Sequence, residues 1–158
     1  MKISATFFTV MIMVVAVIAA DSTNSSIQAK LQQMSKYLNE NQVGRIEILQ
    51  IPPRILTRAR VTPDMLERQY YNKLIIRDIN SNAYKDKLIG SFKTISVSER
   101  NETPDLRWAV VFYSQEGARI GAVYFDKSGQ YGAVNGSGAA FKGDFFTWLT
   151  GTFSNCFQ

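Results

Sequence analysis

The chain has no histidine and a single cysteine in 158 residues, and these two shortages sort the available chemistry before any motif is sought. A Ser-His-Asp or Cys-His site cannot be assembled without histidine, and the usual zinc sets draw on His and Cys together. One cysteine cannot close an internal disulfide. Cys156 is therefore either an unpaired thiol or half of a bridge between two chains, which an oxidising compartment permits. Aspartate spacing typical of a calcium loop is missing, and there is no internal repeat and no low-complexity tract. No cofactor is implied.

Long apolar runs are equally scarce. The one candidate, residues 7 to 18, is broken only by Thr9 and falls short of the roughly 20 residues a bilayer-spanning helix needs. Lys2 precedes it, Ala19 and Ala20 follow, and a polar run begins at Asp21, which is the layout of a secretory signal peptide. The expectation is a cleaved leader over 1–20 and one mature domain over 21–158, periplasmic in a bacterium and otherwise secreted. Membrane contact would then be transient, through the leader. Removing the first 20 of 158 residues leaves 138, enough to bury roughly two-thirds of the unfolded chain's surface without help from disulfides.

Charge is informative once it is located. The basic residues Arg54, Arg58, Arg60, Arg68, Lys73 and Arg77 face only Asp64 and Glu67 in the same segment, and the rest of the mature chain balances to neutrality. All the excess positive charge sits in twenty-four residues.

Ile27, Leu31, Met34 and Leu38 recur at helical spacing and predict a first helix that ends at the polar run 39–42. Arg45 to Ile51 alternates as a half-buried strand closed by Pro52-Pro53. Thr62-Pro63-Asp64 combines a hydroxyl N-cap, a first-turn proline and a carboxylate near the positive end of the helix dipole, predicting a short helix to about Gln69. Residues 70–79 read as a second strand, and Tyr84, Leu88, Phe92 and Ile95 mark a helix starting near Asn82. Strands at 107–113, 118–125 and 130–134 are joined by short polar turns, and Asp144 opens a last helix with Phe145, Trp148, Leu149 and Phe153 on one face. Strands linked by turns, with helices before and after, predict an α+β domain. Its antiparallel sheet has about five strands, a C-terminal three-stranded meander and helices on one face.

Candidate sites are few. Glu116, Asp126 and Asp144 could supply the paired carboxylates of a hydrolase, yet each stands at a turn or helix cap, where acids serve backbone hydrogen bonding. NGSGAAFKGD, residues 135 to 144, has glycines and a lysine before a helix, but the lysine precedes the glycine and Asp144 would repel phosphate, so a turn is the better reading. The triplets at Asn24, Asn101 and Asn135 match the glycosylation acceptor pattern, which matters only in a eukaryote.

The segment PPRILTRARVTP, residues 52 to 63, remains. Read as extended, it puts Ile55, Thr57, Ala59 and Val61 on one side and Arg54, Leu56, Arg58 and Arg60 on the other. Such a ribbon is either a solvated edge protected by its own charges or a binding surface. In the second reading arginine forks pair with carboxylates while Leu56, Tyr70 and Tyr71 supply apolar anchors. Nucleic acid is disfavoured as a partner, because export separates it from the protein and no binding motif is present. The expectation is a small exported binding or inhibitor protein, such as a periplasmic immunity protein, that occludes an acidic protein surface and is not an enzyme. The alternatives are a secreted structural or envelope-associated module, with a homodimer through Cys156 or a sheet edge, and a carboxylate-dependent hydrolase.

Overall fold

The computed structural model describes residues 26–81 and 84–157. The expected leader and the Asn24 triplet lie outside the described residues. The first helix, α1, covers residues 26–39, and Ile27, Leu31, Met34 and Leu38 are all buried, as the spacing requires. It stops where Asn41 turns left-handed, with φ at 59°, a conformation that Asn tolerates at a helix end. Further helices are α2 (Pro63–Arg68), α3 (Tyr84–Thr94) and α4 (Phe145–Phe153).

Among the described residues, seven strands form one antiparallel sheet: β1 (Val43–Gln50), β2 (Asn72–Arg77), β3 (Ser96–Glu99), β4 (Leu106–Ser114), β5 (Arg119–Asp126), β6 (Tyr131–Val134) and β7 (Ser137–Lys142), in the order β2-β1-β4-β5-β6-β7-β3. The α+β class, the antiparallel sheet and the meander stand as the sequence implies. The two strands beyond the expected five have identifiable causes. β3 is the short polar run SVSE, which shows no apolar alternation. The β7 sequence SGAAFK is poor in the bulky residues that announce a strand, because a Cβ at Gly138 would lie 2.5 Å from the Arg100 carbonyl oxygen. Asn135 and Gly136, at φ 50° and 87°, make the tight turn between β6 and β7, both in the left-handed region that such hairpin turns use.

Side chains alternate across the sheet. Ile46, Ile48, Trp108, Val110, Phe112, Val123 and Phe125 face α1, α3 and α4. Phe92 of α3 meets Phe112 and Phe145 edge to face, with ring centroids 5.5 and 4.7 Å away, an arrangement that adds to area burial. The opposite face carries a second, smaller core. Leu49, Ala109, Val111, Ala122, Tyr124 and Ala133 are covered there by Ile51, Val61 and Leu66, so α2 and the segment before it lie on the face opposite the other three helices. The expectation of helices on one face alone is corrected in that respect. The six-residue α2 is too short to show a stripe, and its single buried residue, Leu66, is not a pattern a sequence can display.

The Thr62-Pro63-Asp64 helix start forms as expected, with Thr62 Oγ1 accepting the Met65 N–H at 3.2 Å. Asp144 does not cap in the same way: it precedes α4, but its side chain makes no capping bond, and the backbone carbonyl alone accepts from Trp148.

Candidate functional site

Residues 51–62 are not the regular ribbon that the alternation suggests. They form a loop of turns, because Pro52 and Pro53 withhold N–H groups from any ladder and the Pro52 carbonyl closes a turn on the Ile55 N–H. The two-sided character survives in part. Val61 is buried and Ile55 and Thr57 are half-buried, but Ala59 is exposed together with Arg54, Leu56, Arg58 and Arg60.

Interactions with the start of β4 fix the loop. Ile51 N–H donates to the Arg107 carbonyl and Leu106 N–H donates to the Val61 carbonyl, so both ends of the loop are stitched to neighbouring residues. Between those ends, Arg107 donates from Nη1 to the Ile55 carbonyl at 2.9 Å and from Nε to Asp105 Oδ2 at 2.9 Å, while Asp105 Oδ1 accepts the Val61 N–H at 2.8 Å. Arg107 is only 8% exposed and directs its donors at acceptors that would otherwise be left unpaired. Arg60 is tied down as well, donating to the Thr103 carbonyl at 3.0 Å.

The remaining loop residues are left outward. Among the described residues Arg54 and Arg58 meet no carboxylate, and Leu56, between them in sequence, is 95% exposed. Tyr71 donates its N–H to the Gln50 carbonyl, which places Tyr70 and Tyr71 at the root of the loop; both rings are exposed, and Lys73 Nζ lies 5.6 Å from the Tyr70 ring centre. Part of the basic surplus is neutralised at home. Arg68 pairs with Asp64, and Lys73 pairs with Glu47 at 2.9 Å.

A second polar assembly, not anticipated from the sequence, joins α2 to β5. Glu67 Oε1 accepts from Arg119 Nη2 at 2.8 Å and from the Tyr124 hydroxyl, and Arg119 reaches the Tyr124 oxygen at 2.7 Å. Burial, followed by the Glu67 carboxylate, raises the Tyr124 pKa far above the ordinary phenol range. Pro63, Asp64, Asn135 and Gly136 complete an open cleft of about 400 Å³ over this group. Nearby, Tyr113 is also raised, first by burial and then by Glu47. No spacing rule links Glu67, Arg119 and Tyr124, which come together only because a helix on one side of the sheet reaches across to β5.

The three acids considered for hydrolysis are engaged in turns or left at a helix end. Asp126 Oδ1 accepts the Ser128 N–H at 3.1 Å and Glu116 accepts the Ser114 hydroxyl at 3.0 Å, as side chains that hold backbone turns do. Cys156 is an exposed free thiol in the short 3-10 turn Ser154–Phe157. No helix among the described residues is long and apolar enough to cross a membrane, and no group of three His, Cys, Asp or Glu side chains among them could hold a metal ion.

Comparison of the chain with known protein families, with curated proteins and with solved structures found no match.

Proposed function

We propose that this is a small exported binding protein that docks the acidic surface of another protein through the loop 54–60, in the manner of an inhibitor or immunity protein. The observation that carries the reading is a 95% exposed Leu56 between Arg54 and Arg58, whose guanidinium groups have no carboxylate partner among the described residues. An apolar side chain held out on a pinned loop loses little conformational freedom on docking, which is how preorganisation raises affinity. The flanking arginines would steer encounter with an anionic patch and pair with its carboxylates. Tyr70 and Tyr71, at the loop root, extend the contact area. Occlusion is the mechanism: the docked loop blocks the surface it covers. Export rests on the leader-like segment at residues 1–20.

The test is crosslinking of the protein in its native compartment, followed by binding kinetics with the captured protein at low and high salt. Replacing Arg54 and Arg58 together by Ser should slow association about tenfold or more at low salt and less at high salt, with the melting temperature unchanged. Leu56→Ala should instead speed dissociation. Association rates that do not respond to the arginine replacement would overturn the proposal.

A further inference from the structure

On the sheet face that carries α2, one cross-strand row reads Arg77, Arg45, Tyr113, Arg119. Arg45 stands directly opposite Arg77 in the β1–β2 ladder and opposite Tyr113 in the β1–β4 ladder, and Tyr113 stands opposite Arg119 in the β4–β5 ladder. Neighbouring strands lie about 4.8 Å apart, which makes Arg45 and Arg77 immediate neighbours and puts Arg119 roughly 10 Å beyond Arg45. The Arg45 guanidinium rests 4.1 Å from the centre of the Tyr113 ring, a cation–π contact that fixes its position.

This patch carries more positive charge than its carboxylates offset. Glu47 is shared between Arg45, at 3.3 Å, and Lys73, at 2.9 Å, while Glu67 takes Arg119. Arg77 is exposed and has no carboxylate partner among the described residues. Like charges directly opposite one another in an antiparallel pair are destabilising. A lone positive charge on an edge strand is explained by protection against edge-to-edge pairing. That reason covers Arg77 but not Arg45, which sits on an inner strand flanked by β2 and β4. The buried Nε of Arg45 is the atom that lies 3.3 Å from Glu47 Oε1, an ion pair without hydrogen-bond geometry.

We propose that the Arg45–Arg77 pair is a binding site for a tetrahedral oxyanion of the phosphate-ester or sulfate-ester class. Two guanidinium groups one strand apart can each donate two N–H groups to such an anion, and its charge relieves their mutual repulsion. Arg119 lies within reach of a second anionic group on the same ligand, so a ligand with two ester groups roughly 10 Å apart binds more tightly than a single anion. The site is at the β1 terminus remote from the loop 54–60, and it operates whether or not that loop docks a protein.

The full folded chain is titrated with inorganic phosphate and with inorganic sulfate at constant ionic strength, with chloride as reference, while arginine side-chain and Tyr113 resonances are followed. Saturable binding is expected, weakened about tenfold or more by Arg77→Gln and by Arg45→Gln, and unchanged by Arg54→Gln with Arg58→Gln. Without ligand, Arg77→Gln should be at least as stable as the parent, because it removes a like-charge pair, and phosphate should raise the melting temperature of the parent alone. Two further probes distinguish the sources of the ester. Arginine-dependent binding to a heparin-derived tetrasaccharide identifies a sulfated glycan, and arginine-dependent binding to phosphatidylcholine vesicles containing phosphatidic acid identifies a lipid headgroup. The proposal is overturned if no probe binds saturably, or if Arg77→Gln binds every probe as tightly as the parent.

Discussion

Arg107 joins Asp105 to the carbonyl oxygen of Ile55, 52 residues away in sequence, so that one nearly buried guanidinium holds the arginine loop against β4. The loop's chemistry is outward, but its shape is set from beneath. Removing the guanidinium leaves the Ile55 carbonyl and Asp105 Oδ2 without their donor, while Asp105 Oδ1 keeps the Val61 N–H. Arg107→Ala should therefore cost about 2–3 kcal/mol in urea denaturation. It should also open the loop to trypsin at Arg54 and Arg58, with cleavage appearing under native conditions. Unchanged protease resistance would show that the backbone contacts at Ile51 and Leu106 suffice alone.

The start of α2 depends on one hydroxyl. Thr62→Ala should destabilise the protein by about 1 kcal/mol, and Thr62→Ser by much less, because only the capping oxygen matters there. Chemical denaturation of the pair separates the cap from any loss of packing.

Alkaline stability should report on Tyr124. Its hydroxyl is held protonated in the folded state well above the ordinary value of 10.0, by burial and by Glu67. The unfolded chain loses this proton first, so the folded state binds more protons above pH 10 and stability falls as pH rises past that value. Below pH 10 the contribution is fully present. Tyr124→Phe should flatten the decline in unfolding free energy as pH rises above 10, measured by guanidinium denaturation. A decline of equal slope in the variant would place its origin elsewhere, with Tyr113 the next group to replace.

Cys156 is exposed, and a disulfide to a second chain is sterically open to it. Under mild oxidation, non-reducing electrophoresis should show a species of doubled mass that Cys156→Ser abolishes. A monomer band that survives oxidation would exclude a bridged dimer.

Much of the fold was legible because its long elements repeat their pattern. The spacing from Ile27 to Leu38 and the face from Phe145 to Phe153 specify buried helix stripes, and the β4 to β6 meander announces itself through β-formers separated by turns. β3 and β7 give no strand signal in the sequence because edge and near-edge strands tolerate polar or tiny residues. The exposed arginines could be read from charge density, but the role of Arg107 could not: its partners lie at Asp105 and Ile55, and a side chain that reaches back across fifty residues leaves no periodic trace. The Glu67, Arg119 and Tyr124 group is hidden for the same reason. The Arg77, Arg45, Tyr113, Arg119 row requires the register of three ladders, which hairpin turns specify only for β4 and β5.

The sheet order also sets a schedule for synthesis. Among the described residues β3 pairs with β7 alone, so residues 96–99 wait for their ladder until the chain has grown to residue 142. At ordinary ribosomal speed that interval lasts roughly 2 to 8 seconds. The β3 edge is thus among the last to close, and until it does the growing chain carries an unpaired strand between α3 and β4.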